Sequence, residues 1–198
     1  MIALRLFHLH LRTRLVGGTA LALVGVAAAS WGLLRLGDGR QLTTLVLTVM
    51  PLALALPLGL GLRSPLGEIE ETAGSPLPCL RLGHLAALLA IVALVGTLAA
   101  TADADAASRW TLLRNSAGQI GLVLIASRLV GSTAAWILPV VYLMAIWAAE
   151  RANLLGDHNP LLWPVLPAGE RPALAVALLL LVVGVGLAAR WGPRRETA

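Results

Sequence analysis

The amino-acid sequence is dominated by six apolar runs, each about as long as a helix that crosses a membrane. They lie at residues 15–34, 42–62, 82–101, 110–127, 132–149 and 172–189. A helix needs about 20 mostly apolar residues to cross the ~30 Å hydrocarbon core of a bilayer. Charged residues make up only 13% of the chain, whereas about 25% is usual in a soluble domain. The sequence therefore predicts an all-α fold, a polytopic transmembrane bundle of six spans that forms one domain over residues 1–198.

The break between the fourth and fifth runs is predicted from length. As a single helix, residues 110–149 would extend about 60 Å at 1.5 Å per residue, which is twice the thickness of the ~30 Å core. Arg128 is the natural end of the fourth span, because an arginine at the centre of a membrane helix costs about 2.5–3.5 kcal/mol. Small residues follow it: Gly131, Ser132 and Thr133. We therefore expect two short spans joined by a tight connection.

Two prolines, Pro51 and Pro57, interrupt the second run. A proline lacks a backbone N–H and therefore leaves a carbonyl of its helix without an intrahelical partner. In a membrane helix such a carbonyl is tolerated where a neighbouring helix or a water molecule binds it. We therefore expect this span to pack inside the bundle.

The arginines predict which side of the membrane each loop faces. The chain has 15 arginines, ten acidic residues and no lysine. The arginines are scattered singly between apolar runs rather than clustered on one face, which argues against nucleic acid as a partner. With both termini inside, cytoplasmic segments hold nine arginines and outer segments hold six, as the positive-inside rule favours. We therefore place both termini and residues 64–81 in the cytoplasm, and residues 150–171 outside.

Two further segments carry apolar residues of their own. As a helix, residues 1–14 place three apolar side chains on one side: Leu4, Phe7 and Leu11. This pattern is typical of an interfacial helix on the inner leaflet, although the frayed start of the first span gives the same pattern. The 150–171 loop contains the run LLWPVLP at 161–167, which is too short to span. We expect this extracellular loop to be re-entrant, with Trp163 at the level of the lipid headgroups.

A short polar segment at 64–81 separates the second and third runs. Ser64 is a suitable N-cap and Pro65 suits the first helical position, so the segment predicts a short helix that ends near Gly74. Three of its residues share one face: Glu68, Glu71 and Thr72. An acidic face of this kind complements Arg or Lys on a partner protein. The alternative is a solvated loop whose acidic residues keep it out of the membrane.

The same segment resembles the coupling helix of type 2 ABC exporters, a family whose membrane subunits have six spans. In that family, acidic residues, a Thr or Gly, a Ser-Pro pair and a basic residue often precede the third span. This chain has them in the same order: Glu68, Glu70, Glu71, Thr72, Ser75-Pro76 and Arg81. The compact size of the chain and the closeness of its fourth and fifth spans depart from the family's layout.

The resemblance implies a permease subunit in a bacterial plasma membrane, in contact with membrane lipid. The residues that would dock on a separate ABC ATPase subunit are Glu68, Glu70, Glu71, Thr72 and Arg81. ATP and Mg would be bound by that ATPase, and this chain itself would bind no cofactor. A second permease subunit, identical or homologous, would complete a dimer.

An exporter of this kind needs a substrate path through its spans. The near absence of charge in the spans favours a hydrophobic or amphipathic cargo, such as a natural product, a drug, a peptide or a lipid. The polar residues able to line the path are Thr43, Thr44, Thr48, Ser132 and Thr133. Because the chain has no lysine, it lacks the Gly-rich loop with Lys that binds ATP phosphates. We therefore expect a non-catalytic transport subunit.

Four polar residues fall within or at the end of the fourth run: Arg114, Asn115, Gln119 and Arg128. We expect Arg114 to extend outward to the membrane interface rather than to lie buried. An alternative function, a membrane-embedded enzyme, would need a nucleophile beside a base, and these four supply no such pair. The histidines are dispersed, so we expect no metal site. Another alternative is a membrane scaffold or immunity protein that sequesters a toxic peptide without transport.

Overall fold

The computed structural model describes residues 40–61, 106–156 and 158–191, together with scattered positions between 18 and 32 and between 82 and 97. Across these residues the protein is all-α, and they include no strand. The main elements are α1 (Arg40–Gly61), α2 (Ala106–Val130), α3 (Ile137–Arg151), a 3₁₀ helix (Pro160–Leu162) and α4 (Arg171–Trp191). The scattered positions are helical and fall in the predicted first and third spans. The predicted interfacial helix at 1–14 and the 64–81 segment lie outside the described residues.

Helix α4 is long and apolar enough to cross a membrane, and it is the one helix among the described residues that meets both conditions. Its buried positions are small residues: Ala173, Ala177, Gly184, Ala188 and Ala189. Large apolar residues are exposed on its outer surface: Leu178, Leu179, Val182 and Val183. Helix α4 therefore packs through its small side chains and presents its bulky ones outward.

Helix α2 lies at the centre of the described structure and packs against α4, α1 and α3. Its closest approach to α4 is at two glycines. A Cβ atom added to Gly121 would lie 2.4 Å from the carbonyl carbon of Leu180, and one added to Gly184 would lie 2.7 Å from the carbonyl oxygen of Gly121. Because backbone atoms cannot move aside as a flexible side chain can, both positions require glycine. Small residues of this kind let two helix backbones pack closely.

The larger apolar core lies between α1 and α2 and includes Leu54, Leu58 and Val123. Gly59 of α1 contacts α2 closely, since a Cβ atom there would lie 3.1 Å from Cγ1 of Val123. A smaller core forms where the loop before α4 covers the other side of α2. Helix α2 is thus enclosed from several directions, and 13 of its 25 residues are buried, including most of its polar ones.

The chain breaks between α2 and α3 where the sequence predicts. Helix α2 ends at Val130, and Gly131 follows with a φ angle of 92°, a left-handed conformation that glycine adopts without strain. The second helix of the pair begins at Ile137 rather than at residue 132, because residues 132–136 form turns. Pro139 lies in the first turn of α3, where its missing N–H has no intrahelical acceptor to lose.

Candidate functional site: a buried polar clamp on helix α2

The loop between α3 and α4 folds back onto α2 and carries Trp163 into the interior. Asn159 caps the 3₁₀ helix, because its side-chain oxygen accepts a hydrogen bond from the N–H of Leu161 at 3.0 Å. Trp163 follows and is 0% exposed. Its ring lies over Gly118 so closely that a Cβ atom there would be 2.4 Å from Cη2 of the indole. Trp163 is therefore buried in protein, because the glycine opens a slot for the ring on α2, and its expected level in the membrane stays a prediction.

Tyr142 of α3 holds the same loop from the other side. Its ring stacks on that of Trp163, with centroids 6.0 Å apart. Its hydroxyl donates a hydrogen bond of 2.5 Å to the carbonyl of Leu161. The loop is thus fixed between α2 and α3, which places its irregular backbone directly over the polar residues of α2.

Arg114 is buried beneath this loop, with only 3% of the residue exposed. Its Nη1 and Nη2 donate hydrogen bonds to the carbonyls of Pro167 and Leu166, at 2.7 and 2.6 Å. The guanidinium matches this site because it is planar and presents several donors in a fixed fork. The expectation that Arg114 extends outward is wrong, because the non-helical loop backbone supplies carbonyl acceptors inside the protein.

Asn115 is fully buried and joins three parts of the chain. Its Oδ1 accepts a hydrogen bond from Nε of Arg114 at 3.2 Å. Its Nδ2 donates to the carbonyl of Pro164 in the loop at 2.8 Å and to the carbonyl of Leu47 in α1 at 3.0 Å. We call Arg114, Asn115 and their four carbonyl acceptors the polar clamp.

The Leu47 carbonyl is available to the polar clamp because of Pro51. In a helix, the carbonyl of Leu47 would accept the N–H of the residue four positions later, and that residue is Pro51, which has none. The amide of Asn115 takes the place of the missing donor. A neighbouring helix thus binds the carbonyl that Pro51 leaves without an intrahelical donor.

The polar clamp is suited to positioning rather than to chemistry. The hydrogen bonds from Arg114 and Asn115 to backbone carbonyls tie α2 to α1 and to the loop. Glu170, near the start of α4, interacts electrostatically with Arg114 and lies 3.2 Å from Nδ1 of the exposed His158. Among the described residues, no group of three or more His, Cys, Asp or Glu side chains is placed to hold a metal ion.

The other polar residues predicted in the fourth run differ in their surroundings. Gln119 is 0% exposed, and within the described part of the chain neither of its amide atoms has a hydrogen-bond partner. Arg128 is partly exposed near the end of α2. Sequence analysis therefore identified the polar residues of α2, and the structure separates a bonded pair, Arg114 and Asn115, from an unbonded amide one turn later.

Among the described residues, the predicted lining residues of a substrate path lie apart. Thr48 is buried beside the polar clamp, whereas Ser132 is buried near Gly59, about 16 Å further along α1 at 1.5 Å per residue. Thr133 is exposed. The side chains of two predicted lining residues lie outside the described part: Thr43 and Thr44. The predicted docking residues also lie outside it: Glu68, Glu70, Glu71, Thr72 and Arg81.

A cleft of about 210 Å³ opens beside the polar clamp, between the end of α3 and the loop. Glu150 and Asn153 supply its polar groups, and Leu162, Leu166 and others supply apolar walls. Asn153 has a φ angle of 50°, a left-handed conformation that asparagine tolerates better than most residues. Leu166 and Pro167 line the cleft, and Arg114 binds the carbonyls of both residues, so the shape of the cleft depends on the loop that Arg114 holds.

Sequence reasoning missed the acceptors of the polar clamp and the glycines that admit the loop. The available signals were the three prolines of the loop, Pro160, Pro164 and Pro167, because proline disfavours a continuous α-helix and so leaves loop carbonyls for other donors. The spacing of Gly118 and Gly121 on one helix was a second signal.

A search of protein-family models, of curated proteins and of solved structures finds no match to this chain.

Proposed function

We propose that this protein is a six-span permease subunit of a type 2 ABC exporter in a bacterial plasma membrane. The observation that carries the proposal is the outward surface of the described helices. Bulky apolar residues are exposed on α2, α3 and α4, among them Trp110, Ile137, Val141, Leu179 and Val182. A soluble monomer rarely exposes contiguous apolar patches larger than a few hundred Å². Lipid is the solvent that suits this surface.

The interior supports the same proposal. Arg114, Asn115 and Ser116 are buried at the centre of α2. Polar groups buried in a membrane bundle must find partners inside the protein, and irregular backbone is tolerated there where it is covered by protein. The polar clamp meets both requirements, because it pairs buried side chains with loop carbonyls.

The energy for transport would come from a separate ATPase. The chain has no lysine, and the acidic pattern at 64–81 resembles the coupling helix on which such an ATPase docks. In this proposal the chain is a non-catalytic subunit. It binds no cofactor, pairs with a second permease subunit and moves a hydrophobic or amphipathic cargo, while ATP and Mg stay on the partner.

The test is copurification of an ATPase with the tagged full-length chain from its native host. We expect an ABC ATPase to be recovered, and we expect the double charge reversal Glu68→Lys, Glu71→Lys to abolish that recovery, because it places positive charge where an acidic face should meet the ATPase. The matched control is Asp103→Lys, Asp105→Lys, an equal charge change between the third and fourth apolar runs, which lies on the opposite side of the membrane if both termini are cytoplasmic. The proposal is wrong if no ATPase copurifies, or if the reversal at 68 and 71 has no more effect than the control.

A further inference from the structure

Helix periodicity places Gln119 in the middle of the surface through which α2 contacts α1. Two neighbours on α2 define that surface: Asn115, which binds the Leu47 carbonyl, and Val123, which contacts Gly59. A residue four positions further along an α-helix is rotated by about 40° beyond a full turn and lies about 6 Å further along the helix axis. Gln119 is four residues from each, so its side chain leaves α2 midway between two observed contacts with α1.

The stretch of α1 opposite Gln119 is almost entirely apolar. Between Leu47 and Gly59, Thr48 is the one polar residue of α1 that is buried. The other buried residues of this stretch are apolar: Met50, Pro51, Leu54, Ala55 and Leu58. Gln119 is nevertheless an amide, with two N–H donors and a carbonyl acceptor. It is completely buried, and among the described residues neither its nitrogen nor its oxygen makes a hydrogen bond.

An unbonded amide is a poor residue for a permanent helix contact. Burying a polar group without a partner is unfavourable, whereas an apolar side chain of similar size would pack there without that penalty. Asn115, one turn earlier on α2, differs in this respect, since both the oxygen and the nitrogen of its amide make hydrogen bonds. The described conformation is thus favourable for Asn115 and unfavourable for Gln119.

We propose that α1 and α2 separate around Gln119 in a second conformation of this protein, in which the amide is exposed to water. Asn115 and the polar clamp stay in place and act as the fixed end of the movement. In the sequence, the 64–81 segment begins three residues after the last residue of α1, Gly61, so a force on that segment would act on this contact. The last step rests on the proposed function, whereas the opening itself rests on the burial and bonding of Gln119.

The first test compares stability changes at two positions on one face of α2. Replacing Gln119 with Leu removes no hydrogen bond, so we expect the Tm to rise by about 2–4 °C. Replacing Asn115 with Leu removes three hydrogen bonds and should lower the Tm. A fall in Tm for Gln119→Leu would overturn the proposal, because it would mean that the amide is bonded in the stable state.

The second test measures access of water to position 119. In a Cys79→Ala background, Gln119→Cys is labelled in native membranes with a water-soluble thiol reagent. The control is Leu122→Cys, a buried position on the same helix that faces the loop. We expect the cysteine at position 119 to react at least about tenfold faster than the one at position 122, since only the surroundings of position 119 open. Equal rates at the two positions, or no labelling at 119, would overturn the opening.

The two tests separate this inference from the proposed function. If an ATPase copurifies but position 119 is not labelled, the opening is wrong and the permease proposal stands. If position 119 is labelled but no ATPase is recovered, the opening stands without the transport partner. If both hold, adding ATP and Mg to membranes that contain the complex should change the labelling rate at 119 and leave that at 122 unchanged.

Discussion

Substitution of Asn115 by Leu would remove the residue that connects α1, α2 and the loop. Leucine has a similar size but no hydrogen-bonding group. The carbonyls of Leu47 and Pro164 would lose the donor Nδ2 of Asn115, and Nε of Arg114 would lose its acceptor. Each of these groups would be left in the interior. The change therefore isolates hydrogen bonding from packing.

The size of the effect follows from the number of groups left without a partner. A buried donor or acceptor without a partner costs about 1–3 kcal/mol, whereas hydrogen bonds between membrane helices average about 0.6 kcal/mol and reach about 1.7 kcal/mol. Three affected groups at about 0.6–1 kcal/mol each give a loss of about 2–3 kcal/mol in the free energy of unfolding. For a chain of this length that corresponds to a fall in Tm of about 4–12 °C.

A double-mutant cycle with Pro51→Ala tests the cause of the loss. Alanine at 51 supplies the N–H that the carbonyl of Leu47 lacks, so one of the affected groups finds a donor within α1. The loss caused by Asn115→Leu should then be smaller by about 1 kcal/mol in the Pro51→Ala background. Thermal unfolding of the four purified variants measures the difference.

The control for this cycle is Pro57→Ala, the same change two turns later on α1. Its restored N–H would serve the carbonyl of Ala53 and not that of Leu47. We expect Asn115→Leu to cost the same with Pro57→Ala as in the unmodified protein. If the loss is equally large in the Pro51→Ala background, Asn115 does not replace the donor missing at Pro51, and our account of the polar clamp is wrong.

The remaining predictions concern packing and the hold on the loop. Gly121→Ala should lower the Tm by several degrees, because the added Cβ would overlap backbone atoms of α4. The control is Gly186→Ala, whose Cβ would meet nothing within 4 Å and which should leave the Tm unchanged or raise it. Similar losses in Tm for both variants would contradict the close packing of α2 on α4. Arg114→Lys should destabilise the protein, because an ammonium cannot reproduce the fork of two hydrogen bonds, but less than Arg114→Leu, because the ammonium keeps the charge. Protease sensitivity of the loop measures both effects, and equal sensitivity in the two variants would count against a role for the charge. Tyr142→Phe should cost about 0.5–1.5 kcal/mol of unfolding free energy, because only the bond from its hydroxyl to Leu161 is lost; no measurable loss in urea or thermal unfolding would mean that stacking alone holds the loop.

The parts of the structure that local chemistry governs could be predicted from the sequence. Length and the cluster at Arg128 and Gly131 predict the break between α2 and α3, and the structure has its left-handed glycine there. The missing N–H of Pro51 predicts a carbonyl that needs an outside donor, and the structure supplies Asn115. Both predictions depend on neighbouring residues in the chain, which the sequence displays directly.

Side chains whose surroundings come from distant segments could not be predicted from the sequence. The expectation that Arg114 extends outward is wrong because its acceptors, at Leu166 and Pro167, lie more than 50 residues away in the chain. The burial of Trp163 in protein is likewise not evident locally, since nothing next to it in the sequence reveals the slot at Gly118. A long-range pairing of this kind requires the tertiary fold. The docking role of residues 64–81 stays a prediction.

The polar clamp also has a consequence for biosynthesis. Arg114 leaves the ribosome 53 residues before Pro167, whose carbonyl it binds. At about 5–20 residues per second, this distance corresponds to a delay of about 3–10 s. In a chain inserted into a membrane as it is made, α2 would carry a cation without its final acceptors throughout that interval. Helix α2 would therefore have to remain beside water or the insertion machinery until the loop has been synthesised. It would reach its final packed position later than its order in the chain suggests.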